Sequence, residues 1–273
     1  MIIRTTICLA FLLAWVLSVA GAHAPQQMHF KNNVLPGHLT EHRIRREVTR
    51  TVRRTRHVEK LRYQQDALWL QCNIEDPRPA SVIVYQMLVE SPAKILSVHH
   101  GKKRAKGLPT LDQLNLSKPT TRLISESRTA SDAIVHVGLG DPAQRVILQA
   151  ALDVCHWPAK KLDAGHKWER ALKLSGFEGT QTFEFVDLVQ FKDATAARVT
   201  VFVKGRFTGA LAKDYRLDKV QAVLHWSRGD RTLLKLEAQA SYERLRDADP
   251  EEFQMKLDVD LARMESLDEP AQE

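Results

Sequence analysis

The feature that most constrains the fold is a strict alternation of apolar and polar residues through the last third of the chain. Every second residue from Leu234 to Tyr242 is apolar or aromatic, with Lys, Glu, Gln and Ser between them, and Phe253–Leu261 repeats the pattern. Successive side chains of a strand point to opposite faces of a sheet. The pattern therefore predicts strands with one dry and one wet face, as antiparallel sheets have.

Three further runs of the same kind lie before these two, at Thr182–Phe191, Val199–Lys204 and Val220–Trp226. The link Ser227–Asp230 is short enough for a hairpin, which forces its two strands to be antiparallel. We therefore expect a meander of five consecutive strands. Its core is predicted to hold Leu236, Ala238, Leu257 and Val259, and its wet face to hold Lys235, Glu237, Lys256 and Asp258.

The first half alternates less cleanly. Leu68–Ile74 has the pattern of a strand, and Ser81–Val89 is rich enough in β-branched and aromatic residues to be its partner. The arginine-rich segment before them fits a helix by the spacing of Ile44, Val48 and Val52, and it fits a strand equally well. We favour long strands of the type that lies at a sheet edge.

One helix is predicted after Asp141-Pro142, where the carboxylate can cap the first turn and proline suits the first helical position. An apolar stripe runs from Val146 to Val154, and Trp157-Pro158 ends the helix. The expected fold is mainly β, at the margin of α+β, with antiparallel meander sheets and one or two short helices. Whether the two halves are similar half-sheets stays open.

The N-terminal residues have the three parts of a secretory signal, namely a basic start at Arg4, an apolar run Ile7–Val19 and small residues up to Ala24. The alternative, a membrane anchor, needs about 20 apolar residues.

The expected organisation is a signal peptide at 1–24, a strand-rich half at 25–98, a connector at 99–131, a second half at 132–263 and an acidic tail at 264–273. We expect an exported protein, periplasmic or secreted, with no transmembrane segment in the mature chain.

Charge is distributed unevenly along the chain. Nine basic and three acidic residues lie between Glu41 and Arg62, whereas ten carboxylates and two basic residues lie from Asp247 to the end. Either the first segment binds an anionic envelope polymer or lipid headgroups, or the two segments lie side by side and neutralise each other. Nucleic acid is not expected as a partner, because no aromatic residue for base stacking interrupts the arginines. The candidate anion-binding residues are Arg43, Arg45, Arg46, Arg50, Arg53, Arg54 and Arg56.

Two cysteines remain after removal of the signal peptide, Cys72 and Cys155. In an oxidising compartment they can form a disulfide, which would stabilise the fold by roughly 3 to 5 kcal/mol. The alternative is two buried free thiols, which pack as small apolar side chains.

Three consecutive parts of the chain together resemble a known group of proteins. They are the segment Val154–Pro158, the Gly-x-x-Trp element Gly165–Trp168 and the predicted strands between Thr182 and Arg206. This arrangement resembles a group of uncharacterised exported bacterial proteins, in which the Gly-x-x-Trp element introduces an antiparallel meander. The resemblance covers Val154–Arg263. It implies an envelope or secreted β-sheet module and no catalytic residue.

No catalytic, cofactor-binding or metal-binding pattern is recognised. Ser91–Lys94 has a Ser-x-x-Lys spacing without its usual partners, and Cys155, His156 and His166 lack the spacing of a zinc site. The sequence favours a non-catalytic exported module that binds or scaffolds. Two alternatives remain, a carrier that holds an apolar ligand between sheet and helix, and a hydrolase without a recognisable motif.

Overall fold

The computed structural model describes residues 26–30, 37–54, 58–75, 82–100, 103–104, 120–127, 141–154, 157–245 and 250–266. The predicted signal peptide, Arg56, Cys155, His156 and most of the predicted acidic tail lie outside the described residues.

The fold is mainly β, as predicted, with fourteen strands and two helices in the part of the chain that is described. The strands are β1 (Gln27–Met28), β2 (His38–Arg53), β3 (Val58–Glu75), β4 (Val82–Glu90), β5 (Lys94–His100), β6 (Lys103–Arg104), β7 (Thr120–Ser127), β8 (Leu162–Asp163), β9 (Lys167–Leu174), β10 (Phe177–Phe191), β11 (Ala194–Phe207), β12 (Tyr215–Ser227), β13 (Leu233–Arg244) and β14 (Glu251–Ser266). The helices are α1 (Pro142–Leu152) and α2 (Leu211–Asp214).

Twelve of these strands form one antiparallel sheet, in the order β6-β5-β3-β2-β14-β13-β12-β11-β10-β9, with β4 paired to β3 and β7 paired to β4. Strands β10 to β14 are the predicted five-stranded meander, and β9 adds a sixth strand at its end. The hairpin between β12 and β13 is also confirmed, since the Ser227 N–H donates to the Thr232 carbonyl. A separate pair of short strands, β1 and β8, forms a second sheet.

The arginine-rich segment forms a single strand, β2, of 16 residues. The prediction of a long strand is confirmed, but the prediction of an edge position is wrong. Strand β2 lies between β3 and β14, so both of its hydrogen-bonding sides are occupied. The pairing with β14 joins the first and second halves of the chain into one sheet.

The segment interpreted as a connector carries strand structure. The end of β5 and all of β6 and β7 lie within it. Strand β5 pairs with β3, β6 pairs with β5, and β7 pairs with β4. Residues Ser91–Ala93 link β4 to β5 while both strands follow β3, and the Ser91 N–H donates to the Asp66 carbonyl. Lys94 therefore does not lie one helical turn from Ser91.

Helix α1 begins where the sequence predicts. Asp141 Oδ1 accepts a hydrogen bond from the Ala143 N–H at 2.8 Å, and proline occupies the first turn. All seven residues from Val146 to Leu152 are buried. A helix buried on every side lies inside a core.

The large sheet curls around this helix. Gln144 Nε2 donates to Tyr63 Oη on β3 at 3.0 Å, and Gln181 Nε2 on β10 donates to the Ala150 carbonyl at 2.9 Å. Strand β10 is six strand spacings from β3, about 29 Å in a flat sheet, whereas the two helix residues are separated by only about 9 Å along the axis. Both contacts are made because the sheet wraps around α1.

The predicted faces of the last two strands are confirmed. Leu236, Ala238, Leu257 and Val259 are buried in the core cluster that also contains α1. On the opposite face Glu237 and Lys256 are exposed, and Lys235 and Asp258 are partly exposed.

Candidate functional site

The polar face of the sheet carries a groove of about 630 Å³ that spans six adjacent strands, β3, β2, β14, β13, β12 and β11. It lies on the side of the sheet opposite α1, where the side chains between the core positions of these strands point outward. It is lined by nine polar and charged residues, Arg45, Glu47, Arg62, Thr200, Gln221, Glu237, Gln239, Lys256 and Asp258, and by the apolar residues Phe202, Ala222, Val223, Ala238 and Leu257.

Strand register arranges these side chains in rows that cross the strands. One row is formed by directly opposed residues, Glu47, Lys256, Gln239, Gln221 and Phe202. The row beside it is formed in the same way by Arg45, Asp258, Glu237, Val223 and Thr200. Neighbouring strands lie about 4.8 Å apart, so a chain lying across them meets a new side chain at each strand.

The charges of the groove are balanced. Three basic lining residues, Arg45, Arg62 and Lys256, face three acidic ones, Glu47, Glu237 and Asp258.

Several of these charges are also paired with neighbouring side chains. Arg62 Nη2 lies 2.5 Å from Glu47 Oε2, and Lys235 beside the groove lies 3.3 Å from Glu237 Oε1 and 3.5 Å from Asp258 Oδ1. A surface with compensated charges attracts neither strong anions nor strong cations over a distance. The groove therefore suits a ligand that forms many hydrogen bonds and carries little net charge.

Phe202 is an aromatic side chain on this polar face, with 45% of its surface exposed. It lies directly opposite Gln221 on β12 and Thr182 on β10. An exposed ring among amide groups offers a flat apolar surface to a ligand, with hydrogen-bonding groups beside it.

The predicted anion-binding arginines do not converge. Because side chains of a strand alternate between faces, Arg46 and Arg50 share the face of the core residues Ile44 and Val48, whereas Arg43, Arg45 and Arg53 lie on the opposite face. Arg54 follows the end of β2 and pairs with Glu59 at 3.1 Å.

The two oppositely charged segments lie side by side as β2 and β14. Arg50 makes two hydrogen bonds to Glu251, at 3.0 and 2.9 Å, and Arg53 makes two to Glu252, at 2.8 and 3.2 Å. This pairing accounts for the uneven charge of the sequence. Anion binding by the arginine run stays a prediction.

A group of buried polar side chains ties α1 to the sheet. Tyr242 Oη on β13 donates to Asp141 Oδ2 at 3.4 Å, and Arg46 is hydrogen-bonded to Gln65 and lies 4.0 Å from Glu90. Burial raises the pKa of Asp141 and of Tyr242, and it lowers the pKa of Arg46. Because the Asp141 carboxylate already caps the helix, this group has a structural use.

Three further features singled out in the sequence are the cysteine pair, His166 and a possible metal site. Cys72 is a partly buried free thiol in this structure and Cys155 is not described, so the disulfide stays a prediction. His166 stacks on Trp168 with ring centres 6.5 Å apart. Within the described ranges, no group of three or more histidine, cysteine, aspartate or glutamate side chains is placed to hold a metal ion.

No protein-family model matches the sequence, and no curated protein matches it. A solved structure of lipovitellin, described as "Lipid-protein interactions in lipovitellin", is similar with a TM-score of 0.47 and 8% identity. The match covers 88% of this chain and 27% of that chain, so this chain spans about a quarter of the length of lipovitellin. A likeness of this degree carries no information on function. Among the described residues, no helix is both long and apolar enough to cross a membrane.

Proposed function

We propose that this protein is an exported, non-catalytic binding module that holds a hydrogen-bonding polymer of low net charge, a neutral polysaccharide, in the groove on the polar face of its sheet. The observation that carries the proposal is the position of the open concave surface. Helix α1 packs against the inner side of the sheet, whereas the groove on the polar side is open to solvent.

The packing of α1 against the sheet favours a binding surface over an internal ligand cavity. The buried residues of α1 pack in one cluster with core residues of the sheet, among them Leu224 and Leu236. An apolar-ligand carrier needs that space for its ligand. The groove is instead exposed along the strands and crosses six of them.

The lining supports a polysaccharide for three reasons. Its charges are compensated, its central row contains two opposed glutamine amides at Gln221 and Gln239, and an exposed ring at Phe202 ends that row. Amides both donate and accept hydrogen bonds, which suits hydroxyl groups. A sugar unit is about as long as the spacing between strands, so successive units would meet successive side chains of the row.

Affinity electrophoresis through gels containing soluble β-glucan or dextran tests the proposal. Retardation of the wild-type protein is expected, and Phe202→Ala should weaken binding by about tenfold, since aromatic contacts contribute about 0.5–1.5 kcal/mol beyond the area they bury. Phe202 is exposed, so its removal should leave the free energy of unfolding within about 0.5 kcal/mol.

Lys204→Ala is the matched control, because Lys204 lies two residues further along the same face of β11 and does not line the groove. It should bind the polysaccharide as the wild type does. Equal retardation of Phe202→Ala and wild type, or no retardation of the wild type in either gel, would contradict the proposal. A shortened polysaccharide after incubation would favour the hydrolase alternative, and a lipid retained in native mass spectrometry would favour the carrier.

Export is the part of the proposal that rests on the signal sequence alone. N-terminal sequencing of the protein from its own host should return a start at His23 or Pro25 in material from outside the cytoplasm. A product that begins at Met1 and stays in the cytoplasm would contradict export. The proposed binding of a polysaccharide in the groove does not depend on this result.

A further inference from the structure

A second cleft lies away from the polysaccharide groove, between the small β1–β8 sheet and the turn that joins β12 to β13. Its volume is about 480 Å³, within the range of small-molecule sites. Four parts of the chain that are far apart in sequence form it. Its lining residues are Gln26, Gln27, His29, Lys161, Leu188, Arg228 and Arg231.

The cleft is basic, and its charges are not compensated by its own lining. Lys161, Arg228 and Arg231 all line it, and none of its lining residues in the described part of the chain is an aspartate or glutamate. The carboxylates next to lining residues in sequence are held elsewhere. Asp187 makes two hydrogen bonds to Arg198, at 2.9 and 2.7 Å.

The two other nearby carboxylates are engaged as well. Asp163 accepts a hydrogen bond from Gln27 Nε2 at 2.8 Å, and Asp230 accepts one from Ser227 Oγ at 2.9 Å. None of these three carboxylates lines the cleft, so its described lining residues supply three cations and no anion. Convergent uncompensated cations concentrate anions from solution.

The backbone at Arg231 has an unusual conformation. Its φ is +54°, in the left-handed region that glycine and asparagine favour, although Gly229 two residues earlier in the same turn is not among the glycines with positive φ. A side chain at such a position strains the backbone. Glycine at this position would relieve the strain, so replacing Arg231 by glycine removes the guanidinium without weakening the turn.

We propose that this cleft binds a phosphate group, held by the guanidinium groups of Arg228 and Arg231 and the ammonium of Lys161. The arginine fork matches the oxygens of a phosphate, and a lysine adds a point charge. Gln26 Oε1 accepts from the Leu188 N–H at 2.7 Å, which fixes one wall of the cleft. The phosphate can belong to a soluble phosphate ester or to a lipid headgroup, and the chemistry of the site is the same for both.

The test measures binding of inorganic pyrophosphate by calorimetry and binding to vesicles by sedimentation, using the full mature chain. Arg231→Gly should weaken pyrophosphate binding by about tenfold or more, as expected for the loss of a charge-assisted contact. The same variant should unfold at no lower temperature than the wild type, because glycine adopts a positive φ without strain. A loss of binding through misfolding is thereby distinguished from the loss of a ligand contact.

Lys192→Gly is the matched control. Lys192 also has a positive φ, of +52°, in the turn between β10 and β11, and it does not line the cleft. It removes the same charge and relieves the same kind of backbone strain, so pyrophosphate binding should stay within about twofold of the wild type at moderate salt.

The vesicle measurement distinguishes a lipid headgroup from a soluble phosphate ester as the source of the phosphate. Sedimentation with phosphatidylglycerol vesicles but not phosphatidylcholine vesicles, lost in Arg231→Gly, assigns the site to a lipid headgroup. Pyrophosphate binding without vesicle binding assigns it to a soluble phosphate ester. Absence of both in the wild type, or binding by Arg231→Gly equal to that of the wild type, overturns the proposal.

Discussion

His42 is a neutral histidine inside the core of the sheet. Its Nε2 lies 2.9 Å from the Leu233 carbonyl, and its ring stacks on Trp69 with centres 5.0 Å apart. Since a carbonyl can only accept, Nε2 carries the proton, and Nδ1 has no partner. Burial lowers the pKa of His42 from its ordinary 6.5 to about 4.

This shift predicts a loss of stability in mild acid. The unfolded chain binds a proton at His42 below about pH 6.5, whereas the folded chain resists it until about pH 4. Stability is therefore complete above pH 6.5 and falls by roughly 3 kcal/mol as the pH is lowered to 4. His42→Gln keeps an N–H donor and does not titrate, so its urea-unfolding free energy should depend less steeply on pH in this window. Parallel curves for the two proteins would show that His42 is not held neutral.

Adjacent residues on β14 should differ sharply in their effect on stability. Leu257 is 2% exposed in the core, whereas Lys256 lies on the wet face. Leu257→Ala should cost about 2 to 5 kcal/mol of unfolding free energy, and Lys256→Ala should stay within about 0.5 kcal/mol. Denaturant melts check this pair, and the reverse order would mean that the strand is shifted by one residue.

Which face of a strand is buried was predictable only where one face is clearly polar. In β14 the polar residues mark the wet face, and the prediction is confirmed. In β3 both faces carry apolar residues, because Leu68, Leu70 and Cys72 alternate with Trp69. The structure buries Trp69 and leaves the other three partly exposed, a choice that depends on packing against β2, where Trp69 stacks on His42, rather than on the local pattern.

At the level of elements, the contact between β2 and β14 carries ion pairs in two different environments. The Arg50–Glu251 pair is partly buried, with 4% of the Glu251 side chain exposed, whereas the Arg53–Glu252 pair lies at the surface with 61% and 36% exposed. Both arginines make two hydrogen bonds, so the pairs differ mainly in their exposure to water.

Double-mutant cycles should therefore give unequal coupling energies. Removing Arg50 takes two hydrogen bonds from a nearly buried carboxylate, so the coupling energy of this pair should be the larger of the two. The Arg53–Glu252 pair serves as the control, since exposed pairs contribute about 0.2–1 kcal/mol. Alanine cycles on both pairs, followed by urea unfolding, make the comparison. Equal coupling energies would mean that burial of Glu251 does not strengthen its pair.

The two elements also show where prediction from sequence succeeds and fails. Helix α1 was predicted from Asp141-Pro142, because capping is a local interaction between residues two apart. The central place of β2 was missed, because its partner β14 begins about two hundred residues later. Nothing in the arginine-rich segment indicates which strand it pairs with. The opposite charges of the two segments were the one signal in the sequence that they lie side by side. The same charges were equally consistent with binding of an anionic partner by the first segment.

For the molecule as a whole, the sequence predicted the strands but not the neighbours that create the two candidate sites. The groove combines side chains of six adjacent strands, and the basic cleft combines the β1–β8 region with the turn at Arg228–Arg231. Both depend on contacts between distant segments. Phe202 and Gln221 were visible in the sequence only as members of alternating strands.

One continuous sheet predicts that the two halves of the chain unfold together. Strand β2 from the first half is hydrogen-bonded to β14 along most of its length, and α1 is bonded to both β3 and β10. Separating the halves would therefore break a strand pair in the middle of the sheet and expose the helix, so no part of the meander can open alone without a large cost. Native-state hydrogen exchange should give the central amides of β2, β12, β13 and β14 the same opening free energy, equal to the global value from urea unfolding.

The short outer strand β6 provides an internal comparison, because edge amides exchange through local opening and should be less protected. If the amides of β2 and β3 exchanged as a block at a lower free energy than those of β12 and β13, the first half would be a separate unit, and the shared sheet would not govern stability.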